Sequence, residues 1–178
     1  MAELAPVTAA SRAGEGTDGL ALGVLISGSG TNLQAIIDAC SGGSLSARVA
    51  LVISNKAEAF GLERARRSGI PAVHLDRSAY ADSAAYNSAL RDVLIGHGVE
   101  LVVMAGYMRL LGTEVLDAFP QRVINLHPAL LPSFAGASAI SDAFAYGVKV
   151  TGVTVHGADE VFDRGPLIAQ EPVRIEQT

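Results

Sequence analysis

The sequence predicts an α/β fold: an open, mostly parallel, Rossmann-like twisted sheet with helices on both faces. Two observations predict it. Apolar, strand-like runs alternate with segments of helical spacing through the first two-thirds of the 178 residues, which is the pattern of parallel strands joined by helical crossovers. One of these runs, Leu101–Met104, is apolar throughout, as is typical of a central strand that is covered on both faces.

The composition narrows the class of protein. Hydrophobic residues make up 49% and charged residues 17% of the chain, and no apolar run approaches the roughly 20 residues that span a bilayer, so we expect a soluble globular protein. The formal charge of -5 argues against a nucleic-acid partner, which favours a basic face. Cys40 is the only cysteine, which predicts no disulfide or thiolate metal cluster and a reduced, cytoplasmic setting.

No repeat, linker or low-complexity segment interrupts residues 21–178, which we predict to form one domain. Residues 1–20 are rich in Ala, Gly, Ser and Thr and lack the apolar stretch of a secretory signal. We expect them to be a disordered leader.

The first element is an apolar strand, Ala21–Ile26, that leads into a glycine turn and then a helix. Such a turn places free N–H groups and the positive end of the helix dipole where an anion can bind. Gly30 permits close approach of the backbone, and Thr31 and Asn32 can add hydrogen bonds or cap the helix. An ordinary tight turn with a capped helix is the alternative.

The kind of anion can be narrowed. The turn lacks the Gly-Lys-Ser/Thr of a nucleoside-triphosphate loop. It also lacks the third glycine of a dinucleotide fingerprint, since Asn32 and Leu33 occupy that place. The next strand, Arg48–Ile53, ends in Ser-Asn-Lys rather than in the acid that holds an NAD ribose. A monophosphate is therefore the better hypothesis.

The middle of the chain continues the alternation and ends in an apolar loop. The predicted elements are a helix with a basic face at Ala57–Ser68, a short strand at Ala72–Leu75, a long amphipathic helix at Ser78–Gly96 and the strand at Leu101–Met104. Residues 105–112 follow as a loop that is unusually apolar for a sheet edge and contains Arg109. They could line a slot for a flat ring system, or they could be a helix start that packs onto the core.

The next strand, Val123–His127, follows a helix predicted at Thr113–Phe119 and carries two polar side chains. Asn125 and His127 are two residues apart, so they point to the same side of a strand, roughly 7 Å apart at Cα. The carboxyl end of a strand in an open α/β sheet is where ligands bind. The alternative is a capping amide beside a buried core histidine.

The last third of the chain contains a loop stiffened by Pro128 and Pro132, then two strands and an acidic loop. The predicted elements are a helix at Ala137–Tyr146, an alternating strand at Lys149–Val155, the acidic loop from Gly157 to Pro166 that includes Asp163, and a strand from Leu167 through Gln170 into Val173. His156 is predicted to follow the strand, immediately before that loop. An acid in such a loop is usually solvated, so Asp163 alone predicts little.

Five motifs in order resemble the phosphoribosylglycinamide formyltransferases, folate-dependent enzymes of purine synthesis. They are Ile-Ser-Gly-Ser-Gly-Thr-Asn-Leu-Gln-Ala-Ile, Val-Ile-Ser-Asn-Lys-Ala, Ala-Gly-Tyr-Met-Arg-Leu-Leu, Asn-Leu-His-Pro-Ala-Leu-Leu-Pro and Asp-Arg-Gly-Pro-Leu-Ile. The resemblance extends from Ala21 to Thr178. The last two motifs also occur in the wider formyl-folate superfamily, whereas the glycine turn with Thr-Asn-Leu-Gln favours the glycinamide enzymes.

The resemblance implies roles for individual residues. It assigns Asn125, His127 and Asp163 as the catalytic set and places the substrate phosphate on Gly30, Thr31 and Asn32. It places 10-formyltetrahydrofolate, the cosubstrate, against Met108, Arg109, Leu110 and Leu111, with Asn125 also in contact. It implies no metal, and two small-molecule substrates for a monomer or homodimer.

The chemistry of formyl transfer explains why such a set would be used. Attack of an amine on the formyl carbon creates a tetrahedral intermediate with a developing oxyanion, which Asn125 and a protonated His127 could stabilise. Protons must also leave the amine and reach the folate nitrogen, a role for a histidine near neutrality. Asp163 would be the carboxylate that favours the charged imidazole.

Some positions depart from the family's pattern. Ala135 replaces the proline of Phe-Pro-Gly, Ser138 stands where a histidine is common, Ser141 stands where a basic residue often occurs, and Ser83 stands where many members carry an arginine. The family's final helix is also expected to be absent. Three alternatives therefore stay open: a sibling formyl-folate enzyme such as a deformylase, a non-catalytic folate- or nucleotide-binding protein, and a Rossmann-type dehydrogenase, which the missing third glycine and ribose acid disfavour.

Overall fold

The structure, a computed structural model, describes residues 19–161 and 163–176. Seven strands form one sheet in the order β3-β2-β1-β4-β5-β6-β7. The strands are β1 Leu20–Ile26, β2 Ala47–Ser54, β3 Ala72–His74, β4 Leu101–Met104, β5 Val123–His127, β6 Val150–Gly157 and β7 Leu167–Arg174. The helices are α1 Thr31–Ser41, α2 Phe60–Arg67, α3 Ser83–Gly96, α4 Thr113–Leu116 and α5 Ala139–Tyr146.

The pairing confirms the predicted mostly parallel sheet. The first five strands pair in parallel, whereas β6 runs antiparallel to β5, and β7 antiparallel to β6. β2 and β3 are added on one side of β1, and the chain then crosses to the other side, where β4 pairs with β1. Ligands bind at the carboxyl ends of the strands beside such a switch point.

Hydrophobic clusters cover both faces of the sheet, as the sequence predicts. Side chains alternate along a strand, so Leu25 of β1 packs on one side with Leu90 and Leu94 of α3. Val24 and Ile26 pack on the other side, in the cluster that contains residues of α1 and α2. Among the described residues, no helix is long and apolar enough to span a bilayer.

Several predicted boundaries move. The helix predicted from Ser78 begins at Ser83, because the Asp82 carboxylate accepts a hydrogen bond from the Ala85 N–H at 2.8 Å and caps the helix there. A short 3-10 helix, Arg77–Ala79, precedes it. The basic helix begins at Phe60 instead of Ala57, and the helix predicted to reach Phe119 ends at Leu116, shortly before Pro120, which restricts the residue ahead of it.

Two boundaries near the chain's ends also differ. Leu20 is predicted to belong to the leader, but it is the first residue of β1 and pairs with Ala47. Residues 1–18 of the predicted leader lie outside the described residues. The strand predicted to end at Val155 continues to Gly157, because β5 pairs with it as far as Gly157. That extension places His156 within the strand instead of after it.

Candidate active site

Two strands place an amide and two imidazoles on one face of the sheet. In the β5–β6 pair, Asn125 lies opposite His156, and His127 lies opposite Thr154. Residues directly opposite each other in a ladder point to the same face. Asn125 and His127 therefore share a face, as the sequence predicts, and His156 joins them.

Asp163 reaches both imidazoles from the acidic loop. Its Oδ1 lies 3.3 Å from His127 Nδ1 and 3.5 Å from His156 Nε2, and its side chain is only 6% exposed. Its Oδ2 accepts a hydrogen bond of 2.8 Å from the Gly136 N–H. The carboxylate is thus removed from solvent, accepts from the Gly136 N–H and faces His127 Nδ1, and such contacts keep a buried charge tolerable.

The hydrogen bonds of His127 indicate how its ring is protonated. Nε2 lies 2.8 Å from the carbonyl oxygen of Phe134, which can only accept, so Nε2 carries a proton. Nδ1 faces the Asp163 carboxylate, and a second proton there gives an imidazolium between two acceptors. Phe134 has φ of 53°, an unfavourable value for a bulky residue, and such strained residues concentrate at functional sites.

His156 belongs to this group of polar side chains although the sequence did not indicate it as a site residue. Its Nδ1 lies 2.8 Å from the Gly157 carbonyl, so Nδ1 carries the proton and Nε2 is left to accept from Asn125 Nδ2 at 3.0 Å. This contact orients the Asn125 amide and leaves its second N–H available. Gly152, Thr154 and His156 alternate with valines. This alternation continues one residue past the predicted end of the strand and could have identified His156 as a strand residue.

Two adjoining pockets lie beside these groups. The smaller is lined by Met104, Leu110, Leu111, Asn125, His156, Ala158, Asp159, Val161 and Asp163. The larger, about 440 Å³, is lined by Ser83, Asn87, Met108, Arg109, Leu110, Leu111 and Gly112. Leu110 and Leu111 line both pockets, so these two residues connect the larger pocket with the one that contains Asn125 and Asp163.

Buried tyrosines hold this loop. The hydroxyls of Tyr86 on α3 and Tyr107 lie 2.7 Å apart, and both side chains are buried. Burial raises the pKa of both, and for Tyr107 the hydrogen bond with Tyr86 raises it further. The Arg109 guanidinium lies 5.5 Å from the centroid of the Tyr86 ring. Arg109 also lines the larger pocket.

The glycine turn after β1 lies at the same edge of the sheet. Gly30 has φ of 70° and ψ of 32° and precedes the first residue of α1, so its left-handed conformation is followed by a helical one. A Cβ at Gly30 would lie 2.6 Å from the Cα of Gly61, which explains why glycine is needed. Thr31 and Asn32 are exposed beyond the turn. The Ser27 hydroxyl accepts from the Met108 N–H at 3.0 Å, which joins this turn to the apolar loop.

The positions that depart from the expected pattern surround the polar groups. Ala135 lies between Phe134 and Gly136, whose backbone contacts His127 and Asp163. Ser83 lines the larger pocket, and Ser138 precedes α5 and accepts from the Ser141 hydroxyl. In the described part of the chain, no group of three or more His, Cys, Asp or Glu side chains is placed to hold a metal ion.

Known proteins resemble this chain over most of its length. The formyl transferase family model matches residues 21–178. The phosphoribosylglycinamide formyltransferase of Bacillus subtilis is 42% identical over 154 residues, which are 86% of this chain and 79% of that protein. The enzyme of the same name from Haemophilus influenzae is also 42% identical, over 86% of this chain and 73% of its own. The glycinamide ribonucleotide transformylase 1 structure from Symbiobacterium toebii superposes with a TM-score of 0.86 at 51% identity, over 89% of this chain and 75% of that one.

Proposed function

The chain belongs to the formyl transferase family, and we propose that it transfers the formyl group of 10-formyltetrahydrofolate to the amine of 5′-phosphoribosylglycinamide in purine biosynthesis. The observation that carries this proposal is that Asn125 and Asp163 line one pocket and that Asp163 lies 3.3 Å from His127 Nδ1. Relatives named for this reaction, which the chain spans for 79% and 73% of their length, support the choice of acceptor.

We propose that the ribonucleotide phosphate binds at Gly30, Thr31 and Asn32. The left-handed Gly30 followed by helical residues is a geometry that turns successive N–H groups toward one point. The first turn of the eleven-residue helix α1 adds the positive end of its dipole. A monophosphate on a small substrate fits this turn, because it needs no lysine and no second glycine loop.

The formyl donor, 10-formyltetrahydrofolate, is proposed to lie along Met108, Arg109, Leu110 and Leu111. Leu110 and Leu111 line both pockets, so one elongated molecule can extend from the polar groups into the larger pocket. Its flat pterin suits the apolar side chains of Leu110 and Leu111. Asn125 would contact the donor at the reacting end.

The proposed reaction is a direct transfer between the two substrates. The amine nitrogen attacks the formyl carbon, and the bond from that carbon to N10 of the folate breaks as the intermediate collapses. The free N–H of Asn125 donates to the oxyanion while it exists. A positive charge on the His127 ring, whose two nitrogens face Phe134 and Asp163, would stabilise the oxyanion without a direct hydrogen bond. One proton leaves the attacking amine and one is added to N10, and His127 with Asp163 would carry them, directly or through water.

The structure supports separate parts for the two histidines. His156 holds the Asn125 amide through its Nε2, which fixes a donor before substrate arrives. His127, held by the Phe134 carbonyl and facing Asp163, is the group whose charge can respond to the reaction. A preorganised donor of this kind does not have to reorient during the reaction.

The test is an absorbance assay of the purified protein with 10-formyl-folate, with and without glycinamide ribonucleotide. We expect deformylated folate only when the ribonucleotide is present, with formylglycinamide ribonucleotide as the product. Folate deformylation without the ribonucleotide would identify a deformylase instead. Binding of both substrates without turnover would contradict catalysis by this set of residues.

We further propose that the protein works in the cytoplasm as a monomer or homodimer on small-molecule substrates, without a nucleic-acid or membrane partner. The single cysteine and the charge of -5 support this setting. Sedimentation equilibrium would measure the oligomeric state, and a stable trimer or tetramer would contradict it.

A further inference from the structure

We propose that Arg64 is a positioning residue for the substrate phosphate. Its side chain holds the peptide unit between Ser29 and Gly30 in the orientation that directs the Gly30 N–H toward the phosphate. This inference rests on the proposed function and adds a residue from α2 to the phosphate turn.

Helix α2 binds two consecutive carbonyl groups of the turn. The Gly61 N–H donates to the Gly28 carbonyl at 3.1 Å, and Arg64 Nε donates to the Ser29 carbonyl at 2.8 Å. In a trans peptide unit the C=O and the following N–H point in opposite directions. Because both carbonyls point toward α2, the N–H groups of Ser29 and Gly30 point away from it, toward the open side of the turn.

The conformation of Gly30 brings these N–H groups together with those of α1. Gly30 is left-handed and Thr31 begins the helix, which is the alternation that forms an anion-binding concavity from consecutive backbone N–H groups. Rotation of the Ser29–Gly30 peptide would place a carbonyl oxygen where an N–H now points, and this oxygen would repel a phosphate. The hydrogen bond from Arg64 opposes that rotation.

Contacts on both flanking helices hold Arg64 itself. Arg64 Nη1 donates to Gln34 Oε1 at 3.2 Å, and Gln34 Nε2 donates to Asp38 Oδ1 at 2.9 Å. The guanidinium also lies 5.0 Å from the centroid of the Phe60 ring. Arg64 therefore bridges α1 and α2 around the turn. Its planar fork makes two bonds in fixed directions, which the single ammonium of lysine cannot reproduce.

Arg67 is a matched control on the same helix. Its guanidinium lies 5.6 Å from the same Phe60 ring, but its Nε donates to Glu63 at 2.9 Å and its side chain is 67% exposed. Replacing Arg67 therefore removes the same charge and a similar contact with the ring as replacing Arg64. It removes a hydrogen bond to Glu63, however, and leaves the bond between Arg64 and the Ser29 carbonyl in place.

The experiment compares Arg64→Ala, Arg64→Lys and Arg67→Ala in steady-state kinetics with the two substrates. We expect Arg64→Ala to raise KM for the ribonucleotide about 10-fold or more, the effect of losing one charge-assisted hydrogen bond. KM for 10-formyl-folate and kcat stay within about twofold, a shift well under 1 kcal/mol. Arg64→Lys lies between wild type and Arg64→Ala, and Arg67→Ala matches wild type.

A substrate analogue without the 5′-phosphate separates positioning of the phosphate from a general structural effect. The loss in kcat/KM caused by Arg64→Ala is expected with the ribonucleotide and absent with the analogue. An equal loss with both, a fall in kcat with both substrates saturating, or identical behaviour of Arg64→Ala and Arg67→Ala would overturn the inference. Absence of formyl transfer in the wild-type protein would instead contradict the proposed function.

Discussion

At the scale of single residues, the site divides into groups that are held by the backbone and groups that are held by one another. Phe134 and Gly136 supply backbone contacts to His127 and Asp163, and the Gly157 carbonyl contacts His156. Asn125 instead depends on another side chain of the set, since His156 Nε2 orients it. Changes at the two histidines should therefore differ in kind.

The proposed proton carriers give the largest expected effects. His127→Ala and Asp163→Asn should each lower kcat at least about 100-fold, the lower end expected for losing a general acid–base group. Initial rates at saturating concentrations of both substrates measure this. Near-normal turnover in either variant would remove that residue from the mechanism.

His156 should act through Asn125. His156→Phe keeps a ring in the buried site but removes the acceptor for the Asn125 amide, so the oxyanion donor loses its fixed orientation. We expect kcat to fall by about 10-fold, less than the 10²–10³ that follows complete loss of an oxyanion donor, with little change in either KM. An effect as large as that of Asn125→Ala would instead indicate that His156 takes part directly.

At the scale of elements, β6 stabilises the loop that follows β5. The Thr154 hydroxyl donates to the Ala129 carbonyl at 2.6 Å and accepts from the Leu131 N–H at 3.1 Å and from Gln170 Nε2 at 3.0 Å. All the hydrogen-bonding capacity of this buried hydroxyl is used. Thr154 of β6 therefore joins the loop after β5 to β7 beside the site.

Thr154→Val should be destabilising although it changes the shape of the side chain little. It leaves the buried N–H of Leu131 without its partner, and we expect the free energy of unfolding to fall by about 2 kcal/mol. Urea unfolding measures this value. No loss of stability would mean that the proline loop finds other partners, for example water.

Substitutions of the two glycines Gly28 and Gly30 in the turn after β1 should differ sharply in their effect on stability. Gly30→Ala places a Cβ 2.6 Å from the Gly61 Cα and imposes a φ of 70° on alanine. We expect it to destabilise the protein by about 1–3 kcal/mol and to weaken ribonucleotide binding. Gly28→Ala is the control, since a Cβ there meets no described atom within 4 Å. Comparable melting temperatures for the two variants would contradict this account of the turn.

At the scale of the whole molecule, the stability of the fold depends on two clusters of buried side chains on opposite faces of the sheet. Titratable groups buried in these clusters make the free energy of unfolding depend on pH. Tyr86 and Tyr107 lie in the cluster beneath α3, and burial raises the pKa of both. A raised native pKa means that the folded protein keeps protons which the unfolded chain releases. The corresponding stability is present below the unfolded tyrosine pKa of about 10 and is lost as pH rises above it.

The free energy of unfolding should therefore decline above about pH 10. Tyr107→Phe removes one of the two groups, and we expect a lower stability at neutral pH, because the Tyr86 hydroxyl loses its partner, but a shallower decline in alkali. Urea unfolding of both proteins from about pH 8 to 11 tests the slopes. Equal slopes would show that other groups control alkaline unfolding.

The parts of the fold that depend on local patterns could be predicted. Leu101–Met104 and Val123–His127 are strands with the predicted limits, because an apolar run between turn residues identifies a buried strand within a few positions. The glycine turn after Ile26 and the shared face of Asn125 and His127 follow from the same short-range rules. Helix starts were less accurate, since a cap such as Asp82 acts at one residue.

The class of sheet, the glycine turn and two polar residues at one strand end could thus be derived from the sequence alone. Tertiary structure alone decided that His156 faces Asn125, that Asp163 reaches His127, and that Arg64 binds the Ser29 carbonyl. The physical reason is range. Propensity and periodicity act over a few neighbouring residues, whereas strand register, loop closure and helix packing depend on contacts between distant segments that form only when the whole core is assembled.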